Sequence, residues 1–116
     1  MSPATAPTPT WDDIVRDVRL ALALAAGRPT GEAADALRAR LRGHIRLFAP
    51  AADRYAHALP PGHQRDIATA TVQDARAALA PLPKGGDPAG HLRLLAKATD
   101  YTARYAASAP PEHGGT

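Results

Sequence analysis

The chain has no cysteine and no asparagine, and among its 116 residues only one methionine, one tryptophan and one phenylalanine. Without thiols, disulfides, thiolate zinc sites and cysteine nucleophiles are all excluded. Serine is almost as scarce: Ser2 and Ser108 are the only two, both outside the expected core, so serine-based nucleophilic catalysis has no support. Val, Ile and Thr are few, and no segment alternates as a strand would. Long apolar runs are missing too, and none approaches the length needed to span a bilayer. Met1 to Thr10 has neither the basic start nor the apolar run of a secretory leader, so the expected location is the cytoplasm.

What the chain does contain is alanine, 28 residues of it, against 19 Leu, Ile, Val and Phe combined. Alanine is the strongest helix former, so local propensity favours helix throughout. With so few large apolar side chains, stability must come from alanine faces packed closely together, or from surface hidden in an oligomer. Length allows one domain with one core. The net charge of +3 rests on twelve Arg and two Lys, and permits contact with nucleic acid or an acidic partner without requiring it.

Read along the chain, residues 1–10 (MSPATAPTPT) cannot bury a core and are expected to form a disordered arm. Thr10 and Asp13 have capping-box spacing, which starts a first helix at Trp11. Its inward face is expected at Trp11, Ile14, Val15, Val18, Leu22 and Ala25, and it stops at Gly27 before Arg28 and Pro29. Thr30 is expected to cap a second helix over about residues 31–59. Its stripe of Leu37, Leu41, His44, Phe48, Ala52, Tyr55 and Leu59 keeps helical phase through Pro50, which predicts a kinked helix in place of a break. Pro60, Pro61 and Gly62 end that helix. A third spans about 63–80 with Ile67, Ala68, Thr71, Val72, Ala75, Ala78 and Leu79 inward. After a turn at Lys84, Gly85 and Gly86, Asp87 and Pro88 open a fourth helix that runs to about Ala107. Residues 108–116 are expected to be a disordered tail. The architecture is therefore all-α: an antiparallel up-down four-helix bundle over residues 11–107, with a proline-kinked second helix.

Few side chains suggest chemistry. His44 lies on the apolar stripe beside Gly43, and Asp74 lies on the edge of the small-residue face of the third helix. A buried His44–Asp74 pair is the expected polar contact, either holding helix register or, less simply, moving a proton. His57 and Asp53 are spaced for one helical metal pair, but no third ligand accompanies them, and no metal or cofactor is expected. His91 and His113 have no evident companions.

Arg38, Arg42 and Arg46 fall on one line, and Arg93, Lys97 and Arg104 on another. Either line could meet phosphate or an acidic protein, or simply be solvated. No helix-turn-helix pattern or aromatic base platform accompanies them, so sequence-specific nucleic-acid readout has no support. Leu20 and Leu24 fall opposite the expected core face of the first helix, Leu94 widens the apolar arc of the fourth, and all three are candidates for contact with a protein partner or a second copy.

The segments Leu41-Arg42-Gly43-His44-Ile45-Arg46-Leu47-Phe48-Ala49-Pro50, Ala58-Leu59-Pro60 and Val72-Gln73-Asp74-Ala75-Arg76 together resemble a small actinobacterial family, domain of unknown function 6415. The likeness covers about residues 37–105. Members are commonly labelled natural product biosynthesis proteins, so the resemblance implies an accessory or regulatory role in such a pathway. It supplies no catalytic residues.

Overall fold

The structure, a computed structural model, describes residues 8–111. Four helices account for most of them: α1 (Trp11–Gly27), α2 (Glu32–Ala58), α3 (His63–Ala77) and α4 (Pro88–Ala107). No strand occurs among the described residues. Parts of the expected arm and tail, residues 1–7 and 112–116 with His113, lie outside them.

The capping box is formed as its spacing predicts. Thr10 Oγ1 accepts from the Asp13 amide at 3.1 Å, and Asp13 Oδ2 accepts from the Thr10 amide at 2.8 Å. The rotation of α1 differs from expectation: Ile14, Asp17, Ala21 and Ala25 are buried, whereas Trp11 and Leu22 are exposed. The turns from Leu20 to Ala26 are apolar all round, so periodicity alone could not choose a face.

α2 begins after Gly31, whose φ of +104° suits a residue without a side chain, and Thr30 does not cap it. The helix runs unbroken through Pro50, whose ring lies on the exposed side. Proline removes the amide that would bond to the Arg46 carbonyl, and both residues lie on the exposed side of the helix, where water can replace that bond. The buried line is Leu37, Leu41, Ile45, Ala49, Ala52 and Ala56, with His44, Phe48 and Tyr55 on its half-buried margin. α3 stops at Ala77, sooner than expected, and residues 78–80 turn tightly: the Leu79 amide donates to Arg76 O and that of Ala80 to Ala77 O. Ile67, expected inward, is exposed. Asp87 caps α4 by accepting from the Ala89 amide at 3.1 Å, with Pro88 in the first turn.

Sequential helices run antiparallel, which gives the up-down bundle. α2 and α4 therefore run parallel: Arg38 meets His91 near their starts, and Tyr55 stacks on Tyr105 near their ends with centroids 4.7 Å apart. These diagonal helices share the most extensive contact of any pair, while α1 and α3 do not touch. Small residues permit this approach. The Thr99 hydroxyl bonds within its own helix to Leu95 O at 2.8 Å and still lies 3.5 Å from the Leu41 carbonyl across the interface. The core is filled by Leu37, Leu41, Ile45 and Leu95 among alanines of α1, α3 and α4, and α2 buries Ala34, Ala49, Ala52 and Ala56. No described helix is long and apolar enough to cross a membrane.

Candidate functional site

The expected His44–Asp74 pair is not formed. His44 joins Asp17 of α1, with Nε2 2.8 Å from Oδ2; since a carboxylate only accepts, Nε2 carries the proton. Asp74 is exposed on another face of the bundle. The physical reason is the rotation of α1, which turns Asp17 inward one turn before Ala21 and toward the His44 edge of α2. Arg40 completes the cluster, its Nη2 3.2 Å from Asp17 Oδ1. Burial raises the affinity of Asp17 for its proton, but hydrogen bonds from His44 and Arg40 and the charge of Arg40 outweigh it and hold the carboxyl below its ordinary value. The cluster lies at the edge of an open cleft between α1 and α2, with Arg16, Leu20 and Gly43 on its walls.

A second polar cluster was not foreseen. Arg38, expected on an outward basic line, is only 7% exposed. Its Nε donates to His91 Nδ1 at 3.2 Å, while Nη2 donates to the carbonyls of Pro29 at 2.7 Å and Pro88 at 2.9 Å. One guanidinium thus fastens the α1–α2 turn and the start of α4 to α2, with Asp35 as a distant ionic partner at 3.4 Å. The line Arg38, Arg42, Arg46 is corrected accordingly: Arg38 turns inward, Arg42 is half-buried, and Arg46 remains exposed. On α4, Arg93, Lys97 and Arg104 are exposed; Arg104 pairs with Asp100 at 3.0 Å and Arg93 lies 3.9 Å from Asp87.

His91 is buried. Burial first, then the charges of Arg42 and Arg38, push its pKa below the ordinary value, against an opposing contribution from the Ala80 backbone. Its signal was present in the sequence, since position 91 adjoins Leu92 and precedes Leu95 by four residues. Asp17 likewise sits in phase with Ile14, Ala21 and Ala25. The Asp53 carboxylate pairs with Arg76 of α3, and only its backbone carbonyl meets His57 Nδ1, at 2.8 Å, so the two side chains do not converge.

The most distinctive surface lies between α3 and α4. Ile67 on one wall and Leu94 and Tyr101 on the other are 48%, 46% and 39% exposed, although each is large and apolar. They line a groove of about 220 Å³, whose other lining includes Thr71, Ala75, Ala98 and Tyr105. Asp74 and Lys97 are its only charged side chains. Leu20 is exposed on α1, away from this groove, whereas Leu24 is half-buried and packs against the core.

With all four helices and their polar links placed, the comparison with known families is informative: the model described as "Family of unknown function (DUF6415)" matches residues 12–111. The chain belongs to this family. The DUF6415 match extends beyond the stretch 37–105 suggested by the motifs and takes in α1, which supplies Asp17. No curated protein and no solved structure matches the chain.

Proposed function

We propose that this DUF6415 chain is a non-catalytic interaction module that engages a protein partner through the α3–α4 groove, as a cytoplasmic accessory or regulatory factor in natural product biosynthesis. The observation that supports this reading is the convergence of Ile67, Leu94 and Tyr101, three large apolar side chains left in solvent on two adjoining helices. A contiguous apolar groove edged by polar residues is the usual form of a helix- or peptide-binding surface. Asp17 and Arg38 are both engaged within the fold: Asp17 is held by His44 and Arg40, and Arg38 by two carbonyls and His91. That is what structural clusters do, and it leaves the non-catalytic reading the simplest. The pathway assignment rests on the label attached to the resemblance alone.

The test is capture from the native host with the wild-type chain and with Leu94→Glu, a substitution at an exposed position that should leave the bundle folded. A partner retained by the first and lost with the second supports the groove. Equal retention by both would sink it. Deleting the gene and profiling secreted metabolites tests the pathway separately. A nucleic-acid role would rest on the exposed α4 line Arg93, Lys97 and Arg104, and salt-sensitive heparin or DNA retention that is lost when all three are changed to Ala would favour it over the groove.

A further inference from the structure

Resting on the reading of the α3–α4 groove as the partner surface, we infer that its occupant is a second copy of this chain, docked about a two-fold axis along the groove, with Asp74 of each copy facing Lys97 of the other. The groove has exposed apolar residues on both walls, Ile67 on α3 and Leu94 and Tyr101 on α4. Its two charges are opposite in sign and divided between the walls, Asp74 on α3 and Lys97 on α4. Neither makes an ion pair among the described residues, although Arg104 and Asp100 nearby on α4 satisfy each other at 3.0 Å. An interface between identical copies must be complementary to itself. A surface with one unpaired acid on one wall and one unpaired base on the other meets that condition.

The register places both charges at one level. Ile67 lies beside Tyr105, where α3 starts and α4 ends. Seven residues along α3 reach Asp74, and eight back along α4 reach Lys97. At about 1.5 Å per residue both charges lie two turns from the Ile67–Tyr105 level, because the helices are antiparallel. Rotation about an axis along the groove sets α3 of one copy over α4 of the other, so Asp74 meets Lys97 twice. The same rotation brings Ile67 against the partner's tyrosine edge and closes the apolar surface between the copies. It also supplies the hidden apolar area that so alanine-rich a chain lacks within one subunit.

The test uses the full chain in sedimentation equilibrium across a concentration series at low salt. Wild type should dimerise. Asp74→Lys and Lys97→Asp each convert two attractions into two repulsions and should weaken self-association about tenfold or more, with the loss shrinking as salt screens the charges. The diagnostic arm mixes the two variants. One then presents two bases and the other two acids, so a mixed dimer should form more tightly than either variant alone. Helical circular dichroism confirms that each variant is folded. A wild type that stays monomeric at millimolar concentration overturns the inference, as does a mixture no tighter than its components. If wild type is monomeric and Leu94→Glu still abolishes capture of a different protein, the partner reading stands and self-association falls. If Leu94→Glu changes neither capture nor mass, both fall.

Discussion

His44 of α2 donates through Nε2 to the buried carboxylate of Asp17 on α1, 2.8 Å away, and Arg40 grips the same carboxylate from the other side. The contact lies where the bundle is least tightly joined: α1 packs far more extensively on α4 than on α2. A polar bridge there holds the register of two helices that share little apolar surface.

Asp17→Asn removes the charge while keeping the shape. It should destabilise the fold by about 1 to 3 kcal/mol, the range for a buried hydrogen bond to a charged group. A double-mutant cycle with His44→Gln should return a coupling of about 0.5 to 3 kcal/mol. Independent effects of the two substitutions in urea unfolding would contradict the bridge.

Acid should expose the same interaction. The folded Asp17 holds its proton less tightly than the unfolded one, so its contribution is complete above the ordinary value of 3.8 and is lost as pH falls through the lower folded value. Asp13, lowered chiefly by its backbone hydrogen bond at Thr10, titrates in the same direction. Between pH 5 and pH 3 the urea midpoint of wild type should fall more than that of Asp17→Asn.

Arg38→Ala leaves two carbonyls and the His91 Nδ1 without their donor. A loss of about 1 to 3 kcal/mol is expected for each buried acceptor left without its donor. Arg38→Lys should rescue little, because an ammonium cannot span the planar fork that reaches Pro29, Pro88 and His91 together. Thermal melts distinguish the three proteins.

His91 gives a second pH window. Its folded pKa is depressed from 6.5, so below that value the unfolded chain takes up a proton that the folded chain refuses. Stability from this residue is full above pH 6.5 and declines as pH drops toward the folded value. His91→Gln, whose amide oxygen can still accept from Arg38, should show a smaller loss of urea midpoint between pH 7.5 and 5.5. An identical loss would mean that His91 does not couple to folding.

Gly43 costs α2 about 1 kcal/mol relative to alanine, as any glycine does in a helix interior. An added Cβ would meet nothing within 4 Å. Gly43→Ala should therefore raise stability by about 0.5 to 1 kcal/mol, and a melting temperature that falls would show that the site is under a constraint absent from the isolated chain.

Helix number, order and the caps of α1 and α4 were legible because they depend on nearby residues, whereas at α2 Gly31 took the capping position expected of Thr30. Thr10 with Asp13, Asp87 with Pro88, and the prolines after Leu59 act over one turn of chain, and the observed elements start or stop within a few residues of them. The in-phase stripe across Pro50 was informative for the same reason. Facing was less legible wherever alanine and leucine surround a helix. Leu22 and Leu24 exchanged roles in α1, and Ile67 turned outward in α3, because burial there depends on which neighbour approaches and not on local pattern.

The amino-acid sequence by itself determined an all-helical chain, its four segments and their antiparallel order, since propensity, capping and short connections act locally. Only the tertiary structure decided that His44 meets Asp17 and not Asp74, that Arg38 turns inward to His91, and that Ile67, Leu94 and Tyr101 share one groove. Those pairings depend on how each helix is rotated about its own axis. That rotation answers to packing and polar contacts with every neighbouring helix at once, so no single segment encodes it.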